Sequence, residues 1–500
     1  VTQFHPADLA AIFLYLIGVF LVAFWSRRAN LDFSQSPEKI AEGQYLAGRN
    51  LSLTESIGSI IATEVSALTF LGLPAFAFQT NFSFILVYVG AIVGRFIIAR
   101  WMVPAFYNKG ITVYSIIKNE SVTVGRENGQ KVLAGIYTVS KILAVGVRFY
   151  SGSIIVSEFF QLSVLSSLSI IMLLTFFYTL FGGLKAVVRT DLLQALVFIA
   201  GGLCAYVIIP QIDGRSLSEL WQAANLAGHT DWWPKAAWGS LLTGVFGGII
   251  FDMATHGVDQ DFTQRLMAAR SLKTAQRSIF FSSFCSIAVG LLFLGVGALL
   301  WSHYQVHALP AGIVPDRIFA YFIANHFPPF FKGLMLAGAM AATMSTLDST
   351  INAISSVFWN DFFPHRTHLN IKYYLLIDNL VVSIGLLAVA YLSSFSEGLL
   401  LLGLKIASWS GGCLLGTFLA VVLFKLKTPA LFNGRSVMLA YAFNLLLVWF
   451  NSNVLEWSWQ WNVYWGTGGT MIVLFSLGKL MAQPHLDLAQ GHRPKKTDRR

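Results

Sequence analysis

Apolar runs of about twenty residues recur along the whole chain, separated by short stretches in which Lys, Arg, Gly and Pro gather. A helix of that length crosses about 30 Å of hydrocarbon and satisfies its own backbone where water is absent. The pattern predicts an all-α membrane protein of about thirteen transmembrane helices, over 8–26, 52–78, 81–107, 132–160, 163–181, 187–210, 238–263, 277–301, 329–361, 373–394, 397–424, 436–452 and 459–480. The first run, Leu9 to Trp25, has no basic region before it and no small-residue cleavage site after it. It leads into Arg27 and Arg28, so it reads as a spanning helix and not as a signal peptide.

Composition narrows the class. With 55% hydrophobic and 12% charged residues and a mean hydropathy of +0.64, the chain is not a soluble globular protein. Its net charge of +10 does not imply nucleic acid, because the basic residues sort by loop. If the helices alternate, Arg27, Arg28, Lys39, Arg49, Arg95, Arg100, Lys109, Lys118, Arg189, Arg265, Lys273, Arg366, Lys372, Lys425, Lys427 and the basic tail share one side. The other side holds only Arg215, Lys235, Arg317 and Lys332. The positive-inside rule then places the N-terminus outside and the C-terminus in the cytoplasm of a multi-pass protein of the cell (inner) membrane. Cys204, Cys285 and Cys413 lie in apolar runs at no metal or redox spacing. No GxxxxGK[ST] motif and no large cytoplasmic domain occur, which argues against a primary pump.

The most informative stretch is Gly333 to Phe363, GLMLAGAMAATMSTLDSTINAISSVFWNDFF. On a helix, Ala342, Ser345, Thr346 and Ser349 share one face, with Asp348 beside them. Hydroxyls alone serve equally well to bond back to carbonyls or to join helices. An intramembrane carboxylate among them points instead to a hard cation held by oxygen ligands. In the second span, IIATEVSALTFLGLPAFAF, Glu64 sits among small residues with Gly72 and Pro74 following. That favours a helix that unwinds and frees carbonyls for an ion, the alternative being a tightly packed helix with Glu64 in a structural pair.

In the fourth span Lys141 is expected to snorkel to the cytoplasm, whereas Arg148 lies too deep. Arg148 needs an anion, either a substrate carboxylate or a neighbouring acid such as Glu64. Asp191 at the start of the sixth span suits a second cation site or a helix N-terminus. The seventh span, GGIIFDMATHGVDQDFTQR, has a candidate break at Thr255-His256-Gly257, its lower DQDFTQR reaching the cytoplasmic interface. No His/Glu/Cys spacing suits a catalytic metal. Lys405 reads as a buried cation without an assigned partner. Broken helices at the second and seventh spans, five apart, are the pattern of two inverted five-helix repeats.

At these residues the chain resembles the sodium/solute symporter family, which includes bacterial sialic acid, sodium/galactose and sodium/proline transporters. The matching pieces are ATEVSALTFLGLPA (62–75), FGGLKAVVRTDLLQA (181–195), DQDFTQRLMAARS (259–271) and GLMLAGAMAATMSTLDSTINAISS (333–356). The resemblance implies a leucine-transporter-type fold. An extra helix and a cytoplasmic loop (1–51) precede the repeats 52–210 and 238–424, an external loop (211–237) joins them, and two helices (425–482) and a basic tail (483–500) follow.

The resemblance further implies a first sodium site made by carbonyls of Ala62, Val65 and Ala342 with hydroxyls of Ser345 and Thr346. A second, found in part of the family, would use Asp191, Ser345, Asp348 and Ser349, with Asp348 replacing a serine of the sialic acid type. Thr63, Glu64, Ser66, Thr69, Phe84, Tyr88, Arg148 and Asp259 would face the substrate.

The expected partners are Na⁺ (one or two ions), a small-molecule solute and the lipid bilayer, with no nucleic acid and no obligate protein partner. The expected activity is Na⁺-coupled import of a small polar solute, foremost a carboxylate-bearing sugar such as sialic acid. An amino acid bridging Arg148 and Glu64, or a neutral sugar, is the alternative substrate. A channel would need a ring of charges or carbonyls, and a membrane enzyme a nucleophile with its base. His256 with Asp252 is the nearest approach to the latter. A sensor that binds solute without moving it is harder to exclude and stays the alternative of another class, although the sequence shows no signalling domain.

Overall fold

The computed structural model describes residues 5–27, 37–66, 68–121, 126–179, 183–233, 238–363, 371–396, 399–424 and 432–490. Among them there are helices and no strands, save one isolated bridge between Leu51 and Ala269. The helices that make up the expected spans are α1 (Pro6–Arg27), α2 (Leu53–Glu64), α3 (Leu73–Gln79), α4 (Ile85–Ile97), α5 (Arg126–Phe160), α6 (Val164–Thr179) and α7 (Gly183–Asp213). They continue as α8 (Trp238–Gly257), α9 (Gln260–Met267), α10 (Leu272–Tyr304), α11 (Phe331–Val357), α12 (Ile371–Ser393), α13 (Leu399–Phe418), α14 (Gly434–Asn453) and α15 (Trp461–Gln490).

Each stretch expected to span is largely helical, with bounds that differ from those expected. Among the described residues, seven unbroken helices are long and apolar enough to cross a bilayer, or up to nine segments if each of two bent pairs counts as one. The bent pairs are α2 with Leu68–Gln79, at 61°, and the later part of α8 with α9, at 64°.

Local sequence explains both breaks. Ser52 opens α2 with a reciprocal capping box to Glu55, and the helix stops at Val65, whose backbone is extended (φ −75°, ψ 108°). A π-helical turn, Leu68–Gly72, then leads into α3, whose early Pro74 suits a helix start. The second break falls at Val258 and Asp259, directly after the expected triplet. Asp259 has extended backbone, and its side chain caps α9 by accepting from the Asp261 N–H at 2.9 Å.

α11 runs through the core, and all but three residues of Phe331–Val357 are buried. Its start is held by Asp8 of α1, whose Oδ1 accepts from the N–H groups of Phe330 (2.9 Å) and Gly333 (3.0 Å). α4 and α8 approach through facing glycines. A Cβ on Gly90 would lie 2.1 Å from the Val245 carbonyl oxygen, and one on Gly248 would lie 2.3 Å from that of Val87. Backbone contact this close is the small-residue mode of helix pairing in membranes.

Four expectations from charge placement change. Arg95 and Arg265 do not sit in loops: both are 0% exposed, Arg95 inside α4 and Arg265 in α9. DQDFTQR does not reach an aqueous interface, because the bend at Asp259 turns α9 back into the protein, where Gln260, Asp261, Thr263 and Gln264 are buried. Lys141 does not snorkel but is buried in ion pairs, whereas Lys405 is on the exposed face of α13 and neutralises no core acid. Helix α15 extends to Gln490, into the stretch expected to be the basic tail (483–500). Arg28, Lys235, Arg366, Lys425, Lys427 and residues 491–500 lie outside the described residues.

Candidate ion and substrate site

The break in α2 redirects the N–H groups that its last carbonyls would regularly receive. The Ser66 N–H turns to the Thr69 hydroxyl (3.3 Å), and the Thr69 and Phe70 N–H groups both go to the Ser66 carbonyl (2.8 and 3.1 Å). The carbonyls of Ala62 and Val65 thereby lose their i+4 donors. On the Ala62 side stands the hydroxyl face of α11. Ser345 Oγ lies 2.9 Å from the Ala62 oxygen and 3.3 Å from that of Ala342, and Thr346 Oγ1 lies 2.9 Å from the latter. Ala62, Val65, Ala342, Ser345 and Thr346 are all buried, so four oxygens from two helices gather where water does not compete.

One turn along α11 is a charged cluster. Asp191 of α7 accepts from Ser59 (2.6 Å) and from Arg265 (3.2 Å) on one carboxylate oxygen, while its other oxygen is buried without a hydrogen-bond partner. Arg265 also donates to Ser59, Asp261 and Ser349. Asp348 accepts from Tyr178 (2.6 Å) and Ser349 (3.3 Å) and forms no ion pair among the described residues. Lys141 joins Asp259 (2.8 Å) to Asp261 (3.0 Å). Four carboxylates therefore share two cations, Arg265 and Lys141, and Asp348 has neither as a direct ion-pair partner.

A cavity of about 110 Å³ opens beside the α2 break, between α4, α5 and α8. Six of the eight residues expected to face substrate line it: Glu64, Ser66, Thr69, Phe84, Tyr88 and Arg148. The other two do not. Thr63 bonds back to the Ser59 carbonyl (2.8 Å) and faces Ser349 (3.4 Å), on the charged-cluster side. Asp259 is held by Lys141 beneath the cavity, in a smaller recess with Tyr137, Ala254 and Ser410.

Glu64 and Arg148 do not pair. Glu64 instead accepts from Arg95 (2.7 Å) and Ser286 (2.5 Å). Arg95 also bonds Asp252 (3.2 Å), Ser282 (2.8 Å), Ser286 (3.1 Å) and the His256 ring (3.1 Å), so this arginine is saturated. Arg148 forms no ion pair or hydrogen bond among the described residues, and its Nε is buried without a partner. The cavity thus presents the Arg148 guanidinium, while that of Arg95 is fully buried behind Glu64.

The residues that reasoning from sequence missed here are Arg95, Arg265, Ser59 and Tyr178. For Arg95 a signal existed: it sits deep in the apolar run ILVYVGAIVGRFIIARW, not at its end.

The profile of the sodium:solute symporter family matches residues 44–430. This chain belongs to the sodium:solute symporter family. Among curated family members, it is 27% identical over 407 residues to sodium-coupled monocarboxylate transporter 2 of Mus musculus, covering 76% of this chain and 63% of that protein. It is 25% identical over 372 residues to the sodium/sialic acid symporter of Proteus mirabilis, covering 72% of each. The chain thus spans less than two thirds of the mammalian relative's length. These relatives are sodium-coupled transporters and not enzymes. A substrate-bound, outward-open structure of a Na⁺-coupled sialic acid symporter shares the fold, with a TM-score of 0.83 and 20% identity over 96% of this chain and 98% of that one.

Arg95→Met should leave Glu64 and Asp252 buried without their cation, a loss of about 3–5 kcal/mol. Glu64→Gln, which keeps the Arg95–Asp252 pair, should cost on the order of 1–2 kcal/mol. Thermal unfolding of both variants in detergent checks the ranking; Arg95→Met proving the more stable of the two would contradict it.

Proposed function

We propose that this chain is a Na⁺-coupled symporter that imports a small carboxylate-bearing solute by alternating access. The observation that carries the substrate class is Arg148, a guanidinium lining a cavity with its Nε buried and unpartnered. A buried charge without a partner is expensive, and a planar carboxylate is the ligand whose geometry a guanidinium matches. The two curated relatives described above are named for monocarboxylate and sialic acid transport, and both substrates carry that group. Ser66 and Thr69 offer hydroxyls for the polar remainder of the solute, and Phe84 and Tyr88 offer apolar surface. An acid sugar such as sialic acid uses all of these. A zwitterion bridging Arg148 and Glu64 is disfavoured because Arg95 already neutralises Glu64.

In this reading the first Na⁺ binds the carbonyls of Ala62, Val65 and Ala342 with Ser345 and Thr346. A second is drawn to Asp191, Ser345, Asp348 and Ser349, where Asp348 has neither Arg265 nor Lys141 as a direct ion-pair partner. Each ion moved inward adds about 2.3 kcal/mol per 100 mV of drive, if it binds better to the solute-ready state. Thirteen membrane spans, with 52–210 and 238–424 as inverted repeats, an external N-terminus and a cytoplasmic C-terminus, complete the reading in a cell membrane.

Arg148→Ala should abolish binding of acidic solutes while sparing any neutral solute that binds the parent, measured by isothermal titration in Na⁺. Equal loss for both classes would contradict a carboxylate contact. For the second ion, Asp348→Asn and Asp191→Asn should each lower the Na⁺ Hill coefficient of uptake in proteoliposomes from near two toward one. Normal uptake with an unchanged coefficient would remove that site from the account.

A further inference from the structure

Away from the cavity, the ends of α7 and α10 bring together a second set of ligand-type side chains. His303 lies in the last turn of α10 and His307 four residues beyond it. The His307 N–H still donates to the His303 carbonyl at 3.1 Å, so the helical repeat holds and both rings leave from one face. They stack with centres 4.3 Å apart. Paired histidines at i and i+4 on a helix are a recurrent chelating unit for Zn²⁺.

Asp213, the last residue of α7, faces this pair. Its Oδ2 is 2.8 Å from His303 Nδ1 and 3.5 Å from His307 Nε2, and one ligand atom from each residue falls within 4.8 Å of the others. Tetrahedral zinc bonds of about 2.0–2.1 Å imply ligand atoms about 3.3 Å apart, so the trio is near that geometry. The adjustment falls to His307, whose side chain is 45% exposed, while those of His303 and Asp213 are 4% and 1% exposed. Arg215 donates to both Asp213 oxygens (2.6 and 3.1 Å) and to the Ser302 carbonyl (2.7 Å). It fixes the carboxylate in the way that outer-shell partners orient metal ligands.

We propose that Asp213, His303 and His307 form a binding site for a divalent transition-metal ion of the Zn²⁺ class, with water as its remaining ligand. Two imidazole nitrogens and a single carboxylate oxygen suit zinc and discriminate against Na⁺, Mg²⁺ and Ca²⁺, which prefer all-oxygen shells. The ion bridges α7 to α10 and fastens two helix ends that otherwise meet through hydrogen bonds.

The test uses the full chain in detergent, purified without a polyhistidine tag, with ZnCl₂ and MgCl₂ as probes in titration calorimetry and thermal unfolding. Zn²⁺ should bind at one ion per chain and raise the melting temperature, and Mg²⁺ should do neither. His307→Ala should weaken Zn²⁺ binding by on the order of tenfold or more. His326→Ala, at a neighbouring exposed histidine outside the trio, should bind as the parent does. Absence of Zn²⁺ binding, full affinity in His307→Ala, or equal loss in His326→Ala would each overturn the site.

Discussion

A helix interrupted at membrane depth must find new partners for the carbonyls it releases, and the architecture around α2 follows from that. Water cannot reach Ala62 and Val65, and lipid offers nothing, so the freed oxygens have to be met by protein or by an ion. α11 meets the Ala62 oxygen with the Ser345 hydroxyl, and Thr346 lies beside it, bonded back to the Ala342 carbonyl of its own helix. Hydroxyls satisfy the carbonyls provisionally, since each both donates and accepts, and the same atoms can turn their lone pairs toward a cation. A methyl group in place of the Ser345 hydroxyl would leave the Ala62 oxygen without its donor.

Charge balance is the second constraint, and it separates two regions that adjoin the same break. Around the cavity, Arg95 satisfies Glu64 and Asp252 together, which leaves Arg148 as the guanidinium in need of an anion. Around α11, four carboxylates face Arg265 and Lys141, and Asp348 has no cation as a direct partner among the described residues. In the proposed reading, a carboxylate-bearing solute at Arg148 and a cation beside Asp348 would compensate each other's charge in a low-dielectric core, which gives ion and solute an electrostatic reason to favour each other's binding.

Much of this was legible in the chain itself, because bilayer length and helical periodicity are strong signals. The hydroxyl face of α11, the break near Glu64 and the break after Gly257 all followed from residue spacing. What failed was the assignment of individual charges. Arg95 and Arg265 were placed with the loops because basic residues cluster at membrane edges, yet tertiary partners make an arginine affordable at depth. Lys405 shows the converse: a lysine in an apolar run can face outward, and only packing decides which way. The His303–His307 pair was in the sequence at chelating spacing, but its third member, Asp213, lies ninety residues earlier. Only the fold brings them together.

The claim that joins these parts is that Na⁺ and a carboxylate-bearing solute bind this chain interdependently. The most direct measurement is the melting temperature of the purified protein with acid sugars, monocarboxylates, amino acids and neutral sugars, in Na⁺ and then in K⁺. A ligand that binds the native state raises the melting point by mass action. The account predicts stabilisation by a carboxylate-bearing solute in Na⁺ that disappears in K⁺. An equal shift in both salts, or a shift confined to neutral solutes, would contradict it.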